Sequence, residues 1–140
     1  MGSRRTSREL AIRTLFQIDV GGSKPADALA GVLNPDRYAG DTLDFARELV
    51  LGVAEYLAHI DQMIEKYARG WTLERMANVD RNILRVALFE LLYLPDIPPS
   101  VTVAEAVELA KQYSTAESGR FVNGILGNLV RNLDSELARS

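Results

Sequence analysis

The sequence predicts an all-α fold: a single compact domain, residues 1–140, of about seven helices in two packed helical halves. Three observations predict it. Apolar residues recur at helical spacing along most of the chain. The alternating β-branched runs of a sheet are missing, apart from Val101-Thr102-Val103. Glycine and proline fall where helices should stop and start, at Gly21-Gly22, Asn34-Pro35, Gly70 and the group Pro95, Pro98 and Pro99.

Taken in order, the first helix is predicted over Thr6 to Val20, with Ala11, Leu15 and Ile18 on one face and Ile12 and Phe16 widening it. Gly21-Gly22-Ser23 ends it. Pro25 suits the first turn of a short second helix to about Leu33, and Asn34-Pro35-Asp36 makes a turn. A long helical stretch follows from Asp41 to Ala68, with a phase shift that predicts a break near His59. Gly70 closes it, and Trp71-Thr72-Leu73 reads as a connector. Asn78 is expected to cap a helix from Val79 to Leu94. That helix is apolar nearly all round, as befits a central buried element. After the prolines, Thr102 and Glu105 have capping-box spacing for a helix to Tyr113. Ser114 and Glu117 repeat the device for a last helix from Thr115 to Leu133. The residues beyond are expected to fray.

Composition narrows the chemistry. With 47% apolar and 25% charged residues the chain reads as an ordinary soluble domain. Its length suffices to bury roughly two-thirds of the unfolded surface. The absence of cysteine excludes disulfides, iron–sulfur clusters, thiolate zinc sites and thiol nucleophiles. His59 is the single histidine and reads as a boundary residue, so no histidine cluster for a metal exists. Sixteen Lys and Arg against nineteen Asp and Glu leave a net charge of −3, which excludes a globally basic nucleic-acid binder but permits a local cationic patch. No apolar run approaches the ~18 residues of a membrane span. The arginine-bearing N-terminus has no apolar core with a cleavage site. A cytoplasmic protein with no membrane partner is expected.

The candidate functional residues are cationic, aromatic and amide. Arg4, Arg5, Arg8 and Arg13 face one acid, Glu9, so the first 13 residues carry +3 and the remainder −6. Arginine suits phosphate because its planar fork donates two hydrogen bonds at once. A solvated basic terminus is the alternative reading. Lys111 and Tyr113, with Arg120, Phe121 and Asn123, flank one interhelical turn. They combine cations for a backbone, an aromatic face for stacking and an amide for base edges. Phe121 reads two ways, as a stacking face or as core beside Val122 and Ile125. Glu90 falls on the apolar face of the central helix and is expected in a buried ion pair. Asp80 and Arg81 lie at the polar start of that helix, open to solvent or a partner. Asp61 and Glu65 read as a solvated acidic face. No catalytic constellation emerges. Gly21-Gly22-Ser23-Lys24 lacks the phosphate-loop pattern, no serine sits in a nucleophile elbow, and Glu90 has no carboxylate or histidine at a useful spacing. No enzyme, cofactor or metal is expected.

Four runs together are specific. They are Val79-Asp80-Arg81-Asn82-Ile83-Leu84-Arg85, Glu90-Leu91, Glu105-Ala106-Val107-Glu108-Leu109-Ala110-Lys111 and Gly119-Arg120-Phe121-Val122-Asn123-Gly124-Ile125-Leu126. With the arginine-rich start leading into Ala11-Ile12-Arg13-Thr14-Leu15-Phe16-Gln17, they resemble the NusB family of bacterial transcription antitermination factors. The resemblance covers nearly the whole chain, strongly from Asn78 to Leu126 and loosely from Gly21 to Arg37. It implies a non-catalytic protein that binds the boxA element of ribosomal RNA leader transcripts. It also implies action with NusE, a small-subunit ribosomal protein, in a complex that modifies RNA polymerase. By position it implies an RNA surface of Arg4, Arg5, Arg8, Lys111, Tyr113, Arg120, Phe121 and Asn123, and a NusE surface at Asp80. It further implies a homodimer as an alternative state. Gly127 departs from the acidic residue that relatives often carry there. On this reading Arg8→Ala and Phe121→Ala are expected to weaken RNA binding with helix content intact.

Two alternatives stand beside it. One is the accessory RNA-binding domain of an rRNA cytosine methyltransferase. That enzyme requires a larger α/β domain with a cofactor loop and catalytic cysteines, which the 140 residues do not contain. The other is a helical protein–protein interaction module without RNA binding.

Overall fold

A computed structural model describes residues 3–139. Among them lie eight α-helices: α1 (Ser3–Gly21), α2 (Pro25–Val32), α3 (Gly40–Glu55), α4 (Leu57–Tyr67), α5 (Asn78–Tyr93), α6 (Pro99–Tyr113), α7 (Ala116–Arg131) and α8 (Leu133–Ala138). One 3₁₀ turn, Leu73–Arg75, joins α4 to α5. The all-helical expectation holds. The helix α5 is the spine. It packs on α1 and α3 of the N-terminal half and on α4, α6 and α7 of the C-terminal half, so one core runs through both. Its apolar girdle explains this placement, because Ile83, Leu84 and Leu88 bury completely against neighbours on different sides.

Several boundaries move from their expected places, each for a local reason. The break in the long helical stretch falls at Tyr56, three residues before His59. There the backbone leaves the helix (φ −107°, ψ 22°), and the Tyr56 ring stacks on Tyr93 of α5 with centroids 4.1 Å apart. Ala77, not Asn78, occupies the cap position of α5. The Asn78 side chain instead accepts a hydrogen bond from Asn82 Nδ2 at 2.7 Å. The helix α6 begins at Pro99, where a proline costs no intrahelical bond. The expected box residues serve elsewhere: Thr102 donates to Glu90, and Glu105 receives Arg5. Thr115, one residue beyond Ser114, caps α7 by accepting the Ser118 N–H at 2.9 Å. Nor does the chain fray after Leu133, because α8 packs Glu136 back onto Lys66 and Tyr67. The Gly21-Gly22 stop holds, with Gly22 in the left-handed region (φ 70°) that ends a helix.

The acidic residues of α4 are not a solvated face. Arg85 grips Asp61 with two hydrogen bonds, at 2.9 and 3.0 Å, and the Leu73 N–H donates to Glu65 at 3.0 Å. Arg81 spans Asp19 of α1 and the Leu73 carbonyl. These bonds lock the segment between α4 and α5 in place, which positions the surface described next.

Among the glycines of the described residues, the closest approach to a neighbouring side chain is at Gly52, where α3 meets α5. A Cβ added at Gly52 would stand 2.1 Å from the Phe89 ring, which is wedged among Tyr56, Tyr93 and the helix. Gly52→Ala is therefore expected to lower stability by about 1–3 kcal/mol through overpacking, against the ~1 kcal/mol that alanine gains in helix propensity. Urea unfolding measures the balance. An unchanged or raised midpoint would show that the ring yields freely.

Candidate nucleic-acid interface

The arginines of α1 do not form one open patch. Arg4 is exposed and lies over the Phe45 ring of α3, 4.3 Å from its centroid. Arg5 makes a two-pronged ion pair with Glu105 of α6, at 2.9 and 2.7 Å. Each partner favours the charged form of the other. The guanidinium hydrogen bond holds the Glu105 carboxyl below the usual range, and Glu105 raises Arg5 in turn. Arg8 is 4% exposed and belongs to the core. Its guanidinium donates to both oxygens of Glu90, at 2.7 and 2.8 Å, and Thr102 Oγ1 adds a third bond to Glu90 at 2.8 Å. Glu90 thus lies in the expected buried pair, and Arg8 is its partner. The expectation of Arg8 as an RNA contact is corrected on this ground: every donor that could grip a phosphate is buried or already committed.

The hairpin of α6 and α7 holds the remaining predicted residues. Lys111, Arg120 and Asn123 line one groove of about 650 Å³ floored by Val103, Val107 and Val130. The Lys111 stem lies across Gly119, where a Cβ would meet its Cγ at 2.7 Å. Its ammonium is 3.8 Å from Glu108, and both groups are exposed, so the pair holds it weakly. Tyr113 stands apart. Its hydroxyl donates to Glu9 of α1 at 2.7 Å, which raises its pKa.

Phe121 lies at the edge of the core, as its second reading has it. It is half-buried against the core, and its ring meets Trp71 edge to face at 5.7 Å. Trp71, read as a connector residue, is 45% exposed, with Arg75 stacked 5.2 Å from its ring. Its aromatic bulk directly after Gly70 was the signal available in the sequence. Nothing in the periodicity set it opposite Phe121, because the pairing joins residues 50 positions apart.

Beside Phe121 lies a cavity of about 390 Å³ that Trp71, Arg75, Asp80, Glu117 and Ser118 help to line. Asp80 is not displayed at the start of α5 as expected; it is 6% exposed. One oxygen accepts from Ser118 Oγ at 2.9 Å. The other, Oδ1, has no hydrogen-bond donor among the described residues. A buried carboxylate oxygen left so is costly, and a donor brought by a partner would relieve the cost.

These features define a small helical protein with a cationic and aromatic ridge on α7 and, behind it, an unmatched carboxylate. Among the described residues no cluster of potential metal ligands occurs, and no helix is long and apolar enough to cross a membrane. The NusB family model matches residues 5–131, and the chain belongs to the NusB family. It is 50% identical over 139 residues to the transcription antitermination protein NusB of Symbiobacterium thermophilum, with 94% of this chain and 91% of that protein covered. The NusB protein of Myxococcus xanthus is 45% identical, with 90% and 93% covered. Among solved structures, T. maritima NusB superposes with a TM-score of 0.86 at 40% identity over 91% of this chain and 90% of that one. A complex of antitermination factors NusB and NusE with dsRNA gives a TM-score of 0.85 at 29% identity, covering 94% and 98%.

Proposed function

We propose that this protein is a non-catalytic transcription antitermination factor. It binds boxA-type single-stranded RNA of ribosomal RNA leader transcripts together with the ribosomal protein NusE, within an RNA polymerase antitermination complex. The observation that carries the reading is the α7 ridge: Arg120 and Asn123 open to solvent without an ion pair among the described residues, beside the aromatic face of Phe121. Cation, amide and ring within one helical turn are what an unpaired base and its phosphate require. The relatives' names support the antitermination role, and the complex of NusB and NusE with dsRNA supports RNA and NusE as the classes of partner. The RNA surface comprises Arg4, Arg5, Lys111, Tyr113, Arg120, Phe121 and Asn123, without the buried Arg8. The NusE surface is the cavity at Asp80, whose free oxygen suits a cationic or hydroxyl donor.

The test is fluorescence anisotropy with a labelled boxA-type RNA, a scrambled RNA and a duplex of the boxA sequence. Each is titrated with and without NusE at several salt concentrations. Preferential binding of the boxA single strand, strengthened by NusE, is expected. Each phosphate contact should add about 0.7 to the salt slope. Equal binding of boxA and scrambled RNA would leave only a generic cationic patch. No binding with NusE present would leave a helical interaction module.

A further inference from the structure

The ridge at Phe121 has a second flank that the reading above does not use. Between the turn after α4 and the outer face of α7 lies an open groove of about 490 Å³. Arg69, Trp71, Arg120, Phe121, Asn128 and Arg131 line it, and no carboxylate does. Two acids of adjoining segments have other contacts. Glu136 is held by Lys66 and the Tyr67 hydroxyl, and Glu117 faces the neighbouring cavity.

This groove differs in kind from the α1 and α6 surface. There Arg5 and Lys111 each face a carboxylate, and Arg4 lies over the Phe45 ring. Here three guanidiniums share one concavity, and among the described residues none makes an ion pair or a side-chain hydrogen bond. Like charges gathered without counter-charge repel, and an anionic ligand reverses the sign of that interaction. The backbone is shaped to gather them. Arg69 sits at φ 50° and Gly70 at φ 94°, two left-handed residues in succession. For a side-chain-bearing residue that conformation is uncommon. The turn brings Arg69 and Trp71 to the same groove. Trp71 keeps nearly half its surface in water, while Arg75 and Phe121 restrain its ring. An acidic peptide would satisfy the arginines. The exposed ring and the Asn128 amide fit an unpaired base better.

We propose that this groove binds a second stretch of single-stranded RNA, flanking the segment held by Lys111, Arg120 and Asn123. Arg69 and Arg131 take phosphates, and Trp71 supplies the stacking face. Arg120 lines both grooves, so the strand crosses the α7 ridge there. The inference rests on the RNA-binding reading above and adds to it a longer footprint.

The test uses the full chain and two RNAs, a boxA-type dodecamer and the same RNA with six unpaired nucleotides added at each end. Anisotropy gives affinity across salt concentrations. Trp71, the single tryptophan, reports on the groove by its emission. The extended RNA is expected to bind roughly tenfold tighter, as for one added stacked base. Its salt slope should be steeper by about 1.4 for two added phosphates. It should also quench Trp71 beyond what the dodecamer does. Arg69→Gln/Arg131→Gln, both at exposed positions, should erase these gains and leave dodecamer affinity unchanged. Equal affinity for the two RNAs would overturn the inference while leaving the RNA reading intact. So would a double variant that weakens both RNAs alike, or one that keeps the full gain. If neither RNA binds, the RNA reading itself fails and the inference falls with it. An acidic peptide that quenches Trp71 where RNA does not would assign the groove to a protein instead.

Discussion

Arg8→Ala is expected to destabilise the fold by about 3–5 kcal/mol, because it leaves the Glu90 carboxylate buried without its cation. Glu90 is 1% exposed and would keep only the Thr102 hydroxyl as a donor among the bonds described. A domain of this size has ~5–15 kcal/mol in total, so the loss is a large fraction. Arg8→Ala is thereby expected to act first on stability, through the buried pair, and not on a direct RNA contact. Urea unfolding followed by circular dichroism checks the size of the loss. Arg8→Met/Glu90→Leu removes both charges together and is expected to recover most of it, since an apolar pair of similar volume escapes the desolvation cost. A single variant as stable as wild type would mean that Glu90 finds water or another donor once Arg8 is gone. The pair also joins α1 to α5 and, through Thr102, to α6. Its loss should therefore loosen the packing on which the α6–α7 surface rests.

The helices were legible where periodicity and breakers agreed. The helix α5 was found from its apolar girdle and α2 from Pro25, each within a residue or two. The errors concentrate on polar side chains near helix ends. Asn78, Thr102, Glu105 and Ser114 all have the chemistry of caps, yet tertiary partners claim Thr102 and Glu105, Asn82 in the next turn of the same helix claims Asn78, and a neighbouring Thr115 displaces Ser114. Local spacing cannot rank a cap against a partner that lies, as Arg5 does from Glu105, 100 residues away. The same limit explains the site. Residue types and the family resemblance pointed to the cations of α1, but whether an arginine is free depends on the far side of the fold. Arg8 and Arg4 are one helical turn apart on the same helix, and one is core while the other is surface. Trp71 and Phe121 were each readable as aromatic. Only folding makes them a pair, and only the turn at Arg69 and Gly70 turns a connector into a wall of the surface.

Phe121 carries the second large effect, and two substitutions separate its two roles. Phe121→Ala removes the ring from both the core edge and the ridge. Complete burial would make the stability loss ~3–5 kcal/mol; half-burial makes it about half that. Phe121→Leu keeps an apolar side chain against Val122, Ile125 and the rest of the core edge, and should cost under about 1.5 kcal/mol. It provides no face for a base. If one base stacks on Phe121, both variants should lose about 1–3 kcal/mol of RNA affinity, roughly 5- to 150-fold, at constant salt. The salt slope should not change, because no phosphate contact is lost. Anisotropy on the folded variants, with unfolding measured alongside, gives both quantities. Wild-type RNA affinity in Phe121→Leu would remove stacking from the residue's role and leave it as support for Trp71. A fall in slope together with affinity would mean that the substitution had displaced Arg120, the adjacent cation, rather than a ring-to-base contact. The ring and the guanidinium belong to one turn of α7, yet only the guanidinium can change the salt dependence. Affinity and slope together therefore divide the ridge into its stacking and its electrostatic halves.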